Sequence, residues 1–168
     1  MKSKCSWIVF LLVAICLLDG CQINRIEDKI SKDIGIQCKG GTSLYEMDTH
    51  GGFHGDGLSF YVFEFEENLS DQIVSNSEWK RLPLDETASV LIYGDKKEAV
   101  SVGPYVTNEK GDPLFPVIGE GYYYFEDRLS LSSNHQIQLP LLERASFNFT
   151  IAIYDETNCR LYYCQFDT

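Results

Sequence analysis

The segment Asp48-Thr49-His50-Gly51-Gly52-Phe53-His54-Gly55-Asp56-Gly57 gathers two of the chain's three His, two Asp and four Gly into ten consecutive residues. Imidazole nitrogen and carboxylate oxygen are ligands for divalent ions, and Gly lets a backbone close around one. Asp48, His50, His54 and Asp56 are therefore the candidate ligand or catalytic side chains, and the chemistry they would serve is that of a small metal-dependent or His-assisted hydrolase. Glu64, Glu66, Glu67 and His135 are the further groups that folding would have to bring to them.

Spacing narrows the choice. His50 and His54 are four apart, but Gly51, Gly52 and Gly55 disfavour a helix and no Glu follows His50, so the helical zinc pattern is absent. The alternating acids of a calcium loop are missing too. A phosphate cradle would need a Gly-Lys-Ser/Thr ending and a following helix, whereas these glycines lead into a strand. The plain expectation is a long turn in which Gly supplies positive φ and Asp and His bond to nearby backbone. It calls for no cofactor; a divalent metal on the four side chains is the alternative.

Other chemistries leave little trace. No G-x-S-x-G elbow marks an acyl-transfer nucleophile, and no C-x-x-C marks a zinc ribbon or a redox pair. Asn68-Leu69-Ser70 and Asn148-Phe149-Thr150 match glycosylation sequons. Tyr122-Tyr123-Tyr124-Phe125 and Tyr162-Tyr163 would offer an aromatic platform to a sugar or peptide, but strand alternation turns half of each run inward, and core packing is the expectation.

The elements that must hold the loop can be read from periodicity. Ile23, Ile26 and Ile30 form one stripe of a short amphipathic helix over 22–33, closed by Gly35, with a short strand at Ile36–Lys39. Thr42–Met47 and Ser59–Glu66 read as the strands on either side of the loop, the second with Tyr61, Phe63 and Phe65 facing inward. Asn68–Lys80 reads as a helix facing the core through Leu69, Ile73 and Trp79 and ended by Pro83. A second helix starts at an Asp85 N-cap, carries Ala88, Leu91 and Ile92 on one side and stops at Gly94. The stretch 96–121 is mostly loop with a strand at Ser101–Val106, and Tyr122–Glu126 is strand-like. Phe147, Phe149, Ile151 and Ile153 alternate with smaller or polar residues, Asp155-Glu156-Thr157-Asn158 turns, and Cys159–Phe166 returns as a C-terminal β-hairpin. Strands grouped at both ends with helices between them predict a single α+β domain over 35–168, an antiparallel or mixed sheet with helices packed on one face.

The chain has 168 residues, 44% hydrophobic and 13% aromatic, a composition that supports a packed core and excludes disordered or collagenous classes. A net charge of -11 argues against nucleic-acid binding, which needs Lys and Arg on phosphates. Six Cys are present, but Cys5, Cys16 and Cys21 fall within the first 21 residues. Lys2 and Lys4 precede an unbroken apolar run from Trp7 to Leu18, the layout of a secretory signal over 1–20 and too short for a bilayer span of roughly 20 residues.

Leu18-Asp19-Gly20-Cys21 closes that run. It resembles the lipobox of bacterial lipoproteins: Leu18, Gly20 and Cys21 match the pattern, and Asp19 stands where a small uncharged residue is usual. The resemblance implies cleavage before Cys21, a diacylglyceryl thioether on its sulfur, and anchoring at the outer face of the cell membrane through two or more acyl chains. Residues 21–34 would then tether the folded part, and the membrane would be the one partner held through Cys21. Loss of residues 1–20 removes Lys2, Lys4 and Asp19, leaving the remainder one unit more negative than the whole chain. Anionic headgroups would repel it, so a monomeric domain standing off the membrane and binding a protein or small molecule is expected. Of the other cysteines, Cys159 and Cys164 lie about 16 Å apart along a strand, beyond the ~7 Å a disulfide tolerates, which leaves two alternatives: a bridge from Cys38 to Cys159 or to Cys164, and three reduced, partly buried thiols.

Overall fold

The computed structural model describes residues 26–51, 55–97, 100–129, 139–146 and 148–168. The signal-like segment with Cys21, and also His54, His135 and Phe147, lie outside them. The chain divides into two compact units, Met1–Gly41 and Thr42–Thr168.

In the first unit, helix α1 covers 26–34. Ile30 and Ile34, one turn apart, are fully buried, which moves the apolar stripe one turn later than Ile23, Ile26 and Ile30 suggest. The Ser31 hydroxyl donates to the Glu27 carbonyl at 2.7 Å and accepts the Cys38 N–H at 2.8 Å. That second bond folds the chain back on the helix, so 36–39 is irregular and the short strand expected there does not form.

The second unit is built on a six-stranded antiparallel sheet in the order β1-β2-β8-β7-β6-β3. Its strands are β1 (Thr42–Asp48), β2 (Gly57–Glu64), β3 (Trp79–Arg81), β6 (Gly121–Asp127), β7 (Phe149–Asp155) and β8 (Arg160–Asp167). β4 (Asp95–Lys97) and β5 (Val100–Val102) form a separate two-stranded sheet. The helices of this unit are α2 (Ser70–Val74), α3 (Glu86–Tyr93) and a 3-10 turn at Leu141–Glu143. The architecture is α+β with an antiparallel sheet and a β7–β8 hairpin at the C-terminus, as the sequence predicts.

One sheet face carries Phe60 and Val62 of β2, Tyr162 and Cys164 of β8, and Ile151 and Ile153 of β7, packed with Ala88, Leu91 and Ile92 of α3. Each large apolar side chain buried in this way contributes about 1.5–3 kcal/mol. α3 starts where the Asp85 carboxylate accepts the Ala88 N–H at 2.9 Å, and it ends at Gly94, whose φ of 76° an L side chain resists.

The opposite face is buried as well. Tyr61, Phe63, Leu161, Tyr163, Ala152 and Tyr154 all point there and are at most 8% exposed. The single inward face expected for β2 is therefore corrected: alternation looks for one polar face, but β2, β7 and β8 are interior strands with both sides covered. The helix expected over 68–80 is corrected too. α2 stops at Val74 because the Asn76 side chain accepts the Glu78 N–H at 3.0 Å and turns the chain, so that Trp79 opens β3 beside Tyr124. α2 meets the sheet where the Leu69 N–H donates to the Tyr154 hydroxyl at 2.9 Å. The strand expected at Ser101–Val106 ends at Val102, since Gly103-Pro104 follows and Pro104 has no N–H to give a ladder.

Candidate functional site

The candidate residues sit where β1 ends and β2 begins. The Thr49 N–H donates to the Leu58 carbonyl at 3.0 Å, and the Thr49 hydroxyl accepts the Leu58 N–H at 2.8 Å, closing the ladder below the loop. The pairing sets Asp48 opposite Ser59, Ser59 opposite Gln165 and Gly57 opposite Asp167, which brings two strand ends and the C-terminus onto one sheet face. Gly57 has a steric duty there: a Cβ would lie 2.7 Å from the backbone N and Cα of His50, so only Gly lets the loop cross so closely.

His50 is the hub. Its backbone N–H donates to Asp48 Oδ1 at 3.0 Å, and its Nδ1 lies 2.7 Å from the same oxygen and 3.1 Å from Ser59 Oγ. On the other side, Nε2 lies 3.2 Å from Asp167 Oδ2. Asp167 is held in turn by Arg128, whose Nη2 donates to Asp167 Oδ1 at 2.7 Å and to the Phe166 carbonyl at 3.0 Å, and by the Gln165 amide at 3.1 Å. The result is a chain Asp48–His50–Asp167–Arg128 that ties the end of β1 to the end of β8.

Burial works against ionisation of Asp48, but the hydrogen bonds from the His50 backbone and ring, with the charge of the ring and the Ser59 hydroxyl, outweigh it and hold the carboxyl below its ordinary value. Tyr61 beside it moves the other way. Burial, then the carboxylates of Asp48 and Glu46, raise its phenol.

Of the four side chains singled out by sequence, the structure brings Asp48 and His50 together. Asp56 is exposed, and His54 lies outside the described residues. Asp48 and Asp167 approach the imidazole through its two different nitrogens, so they cannot surround one ion. Among the described residues, no group of three or more His, Cys, Asp or Glu is placed to hold a metal. Nor does Glu64 join the loop: it pairs with Arg160 at 2.7 Å, at the far end of β2.

Ser59, Arg128 and Asp167 are the members that sequence reasoning missed. Asp167 is 117 positions from His50, and no local pattern carries that information. The core packing expected of the aromatic runs is found: Tyr122, Tyr123, Tyr124, Tyr162 and Tyr163 are all buried at 9% exposure or less, because β6 and β8 are covered on both faces. Of the two cysteine alternatives, the structure holds the reduced one rather than a bridge from Cys38 to Cys159 or Cys164. All three are free thiols, with Cys164 packed in the sheet core and Cys38 raised to about 12 by burial.

Clefts are formed by described residues of the second unit. One of about 180 Å3 is lined by Leu82, Leu84, Tyr93, Val117 and Ile118, and one of about 410 Å3 by Thr42, Glu64, Glu66, Asn158 and Cys159. Neither includes His50. Among the described residues, no helix is long and apolar enough to cross a membrane.

Fold and site together define an α+β protein with an antiparallel sheet latched at one end by a carboxylate–imidazole–carboxylate–guanidinium chain. Set against protein-family models, curated proteins and solved structures, the chain matches none.

Proposed function

We propose that the protein is a lipid-anchored extracytoplasmic protein that acts by binding, as an envelope-interaction module without catalysis. The observation that carries this reading is Leu18-Asp19-Gly20-Cys21 behind a doubly charged start and an apolar run, with a strongly acidic chain beyond it. Cys21 would hold the acyl chains, and the domain would stand off the outer face of the cell membrane as a monomer with no nucleic-acid partner.

The His50 cluster is consistent with such a role. The two ring nitrogens of His50 face different carboxylates, Asp48 at the end of β1 and Asp167 at the end of β8, an arrangement suited to tying strands together. The alternative is a metal-dependent or His-assisted hydrolase on the Asp48–Gly57 loop. In its favour is the Ser59 hydroxyl 3.1 Å from His50 Nδ1; against it, Asp48 holds that nitrogen at 2.7 Å.

Mass spectrometry and metal analysis on protein purified from membranes test both readings. A mature N-terminus at Cys21 with a diacylglyceryl mass, and an unprocessed precursor from Cys21→Ser, are expected. An unmodified Met1 terminus would overturn the anchor, and stoichiometric metal would revive the metal-dependent hydrolase.

A further inference from the structure

β1 is a terminal strand of the sheet, with β2 as its one strand neighbour among the described residues. Six of its seven residues are exposed and the seventh, Met47, is half-buried. Hydrogen-bonded and non-hydrogen-bonded pairs alternate in an antiparallel ladder. Thr49 is bonded to Leu58, and Met47 and Tyr45 follow opposite Phe60 and Val62, so these three direct their backbone groups at β2. The N–H and C=O of Glu46 and Asp48 then point to the free edge. No described strand pairs with that edge.

The side chains on the edge have a defined chemistry. The register slips between Ser43 and Tyr45, leaving Leu44 unpaired at a bulge. Leu44 is 46% exposed and Tyr45 45%, the latter standing edge-on to Phe60 with ring centroids 6.0 Å apart. Glu46 is exposed, and among the described residues no cation stands beside it. Its charge adds to that of Asp48 in raising the Tyr61 phenol, after burial itself. Natural edges are commonly blocked with Lys or Pro. Thr42–Asp48 contains neither, nor any Arg.

We infer that β1 is the docking edge for an extended, Lys- or Arg-bearing polypeptide segment, which adds to the sheet as a further strand. Its main chain would pair with the outward groups of Glu46 and Asp48, a cation would meet the Glu46 carboxylate, and an apolar side chain would cover Leu44 and Tyr45. Charge decides for this occupant over a second copy of the chain. Two chains of net charge -11 repel, and self-pairing would bring two sets of β1 carboxylates together with no cation to offset them. The inference rests on the binding-module reading but not on the lipid anchor, so its failure and a failure of the Cys21 test are separately visible.

The test uses the full chain and a labelled synthetic strand of alternating Lys and Ile, as long as β1 and capped at both ends. Binding is followed by fluorescence anisotropy and located by amide hydrogen exchange. Saturable binding with slowed exchange at Glu46 and Asp48 is expected, weakened at least about tenfold by Glu46→Lys. Glu46→Pro removes the outward N–H and should weaken binding as well, with unchanged exchange in β7 showing that either variant is folded. N-methylation of alternate peptide amides, which keeps charge and removes donors, should abolish binding. No binding, binding indifferent to N-methylation, or protection away from β1 would each overturn the proposal. So would a sedimenting dimer that Glu46→Lys disrupts, since the occupant would then be a second copy.

Discussion

β1 and β7 are both seven-residue strands of one antiparallel sheet, yet every residue of β7 is buried and all but one of β1 is exposed. Their compositions differ less than their surroundings. β7 lies between β6 and β8 with side chains covered on both faces, whereas β1 has β2 on one side and nothing described on the other. An interior strand is held by packing, so its side chains are irreplaceable and its backbone is unavailable. A terminal strand with thin side-chain cover keeps its backbone groups for a partner.

The largest effect should come from hollowing the interior strand. Ile151→Ala leaves a cavity between Cys164 and the α3 side of the core and should cost about 2–5 kcal/mol in urea unfolding. A loss below about 1 kcal/mol would mean that β7 is less tightly packed than its burial implies.

The latch at the end of β1 should have an intermediate effect with a pH signature. The folded-state carboxyl of Asp48 sits below its ordinary 3.8, so its contribution is complete above that value and is lost as pH falls through the lower, folded value. Urea midpoints measured from about pH 5 down to about pH 2 should therefore fall more steeply for the natural protein than for Asp48→Asn. Parallel curves would show that the Asp48–His50 contact adds nothing to the folded state. The smallest effect belongs to the exposed edge. Leu44→Ser should change stability by no more than about 0.5 kcal/mol while weakening capture of the Lys/Ile strand.

Local signals were legible wherever the cause was local. Asp85 accepts the Ala88 N–H and Gly94 takes a positive φ, and both roles follow from residue type a few positions from the helix they bound. The C-terminal hairpin was legible for the same reason. Asp155 accepts the backbone N–H groups of Thr157 and Asn158, so the turn is written in the residues that make it. Trp79 shows the limit: its spacing from Leu69 and Ile73 suits a helix, but Asn76 turns the chain and the pairing with Tyr124 makes it a strand. Of the candidate site, the Asp48–His50 pair was within reach because its members are two positions apart.

Alternation, caps and turns thus determined the α+β class, helix α3 and the β7–β8 hairpin, because each depends on interactions between residues close in the chain. Tertiary structure alone decided the sheet order, the burial of both faces of β2, β7 and β8, and the delivery of Asp167 and Arg128 to His50. Those depend on pairing β2 with β8 across about a hundred residues, and such a contact is selected by the fit of the whole core rather than by any segment of it.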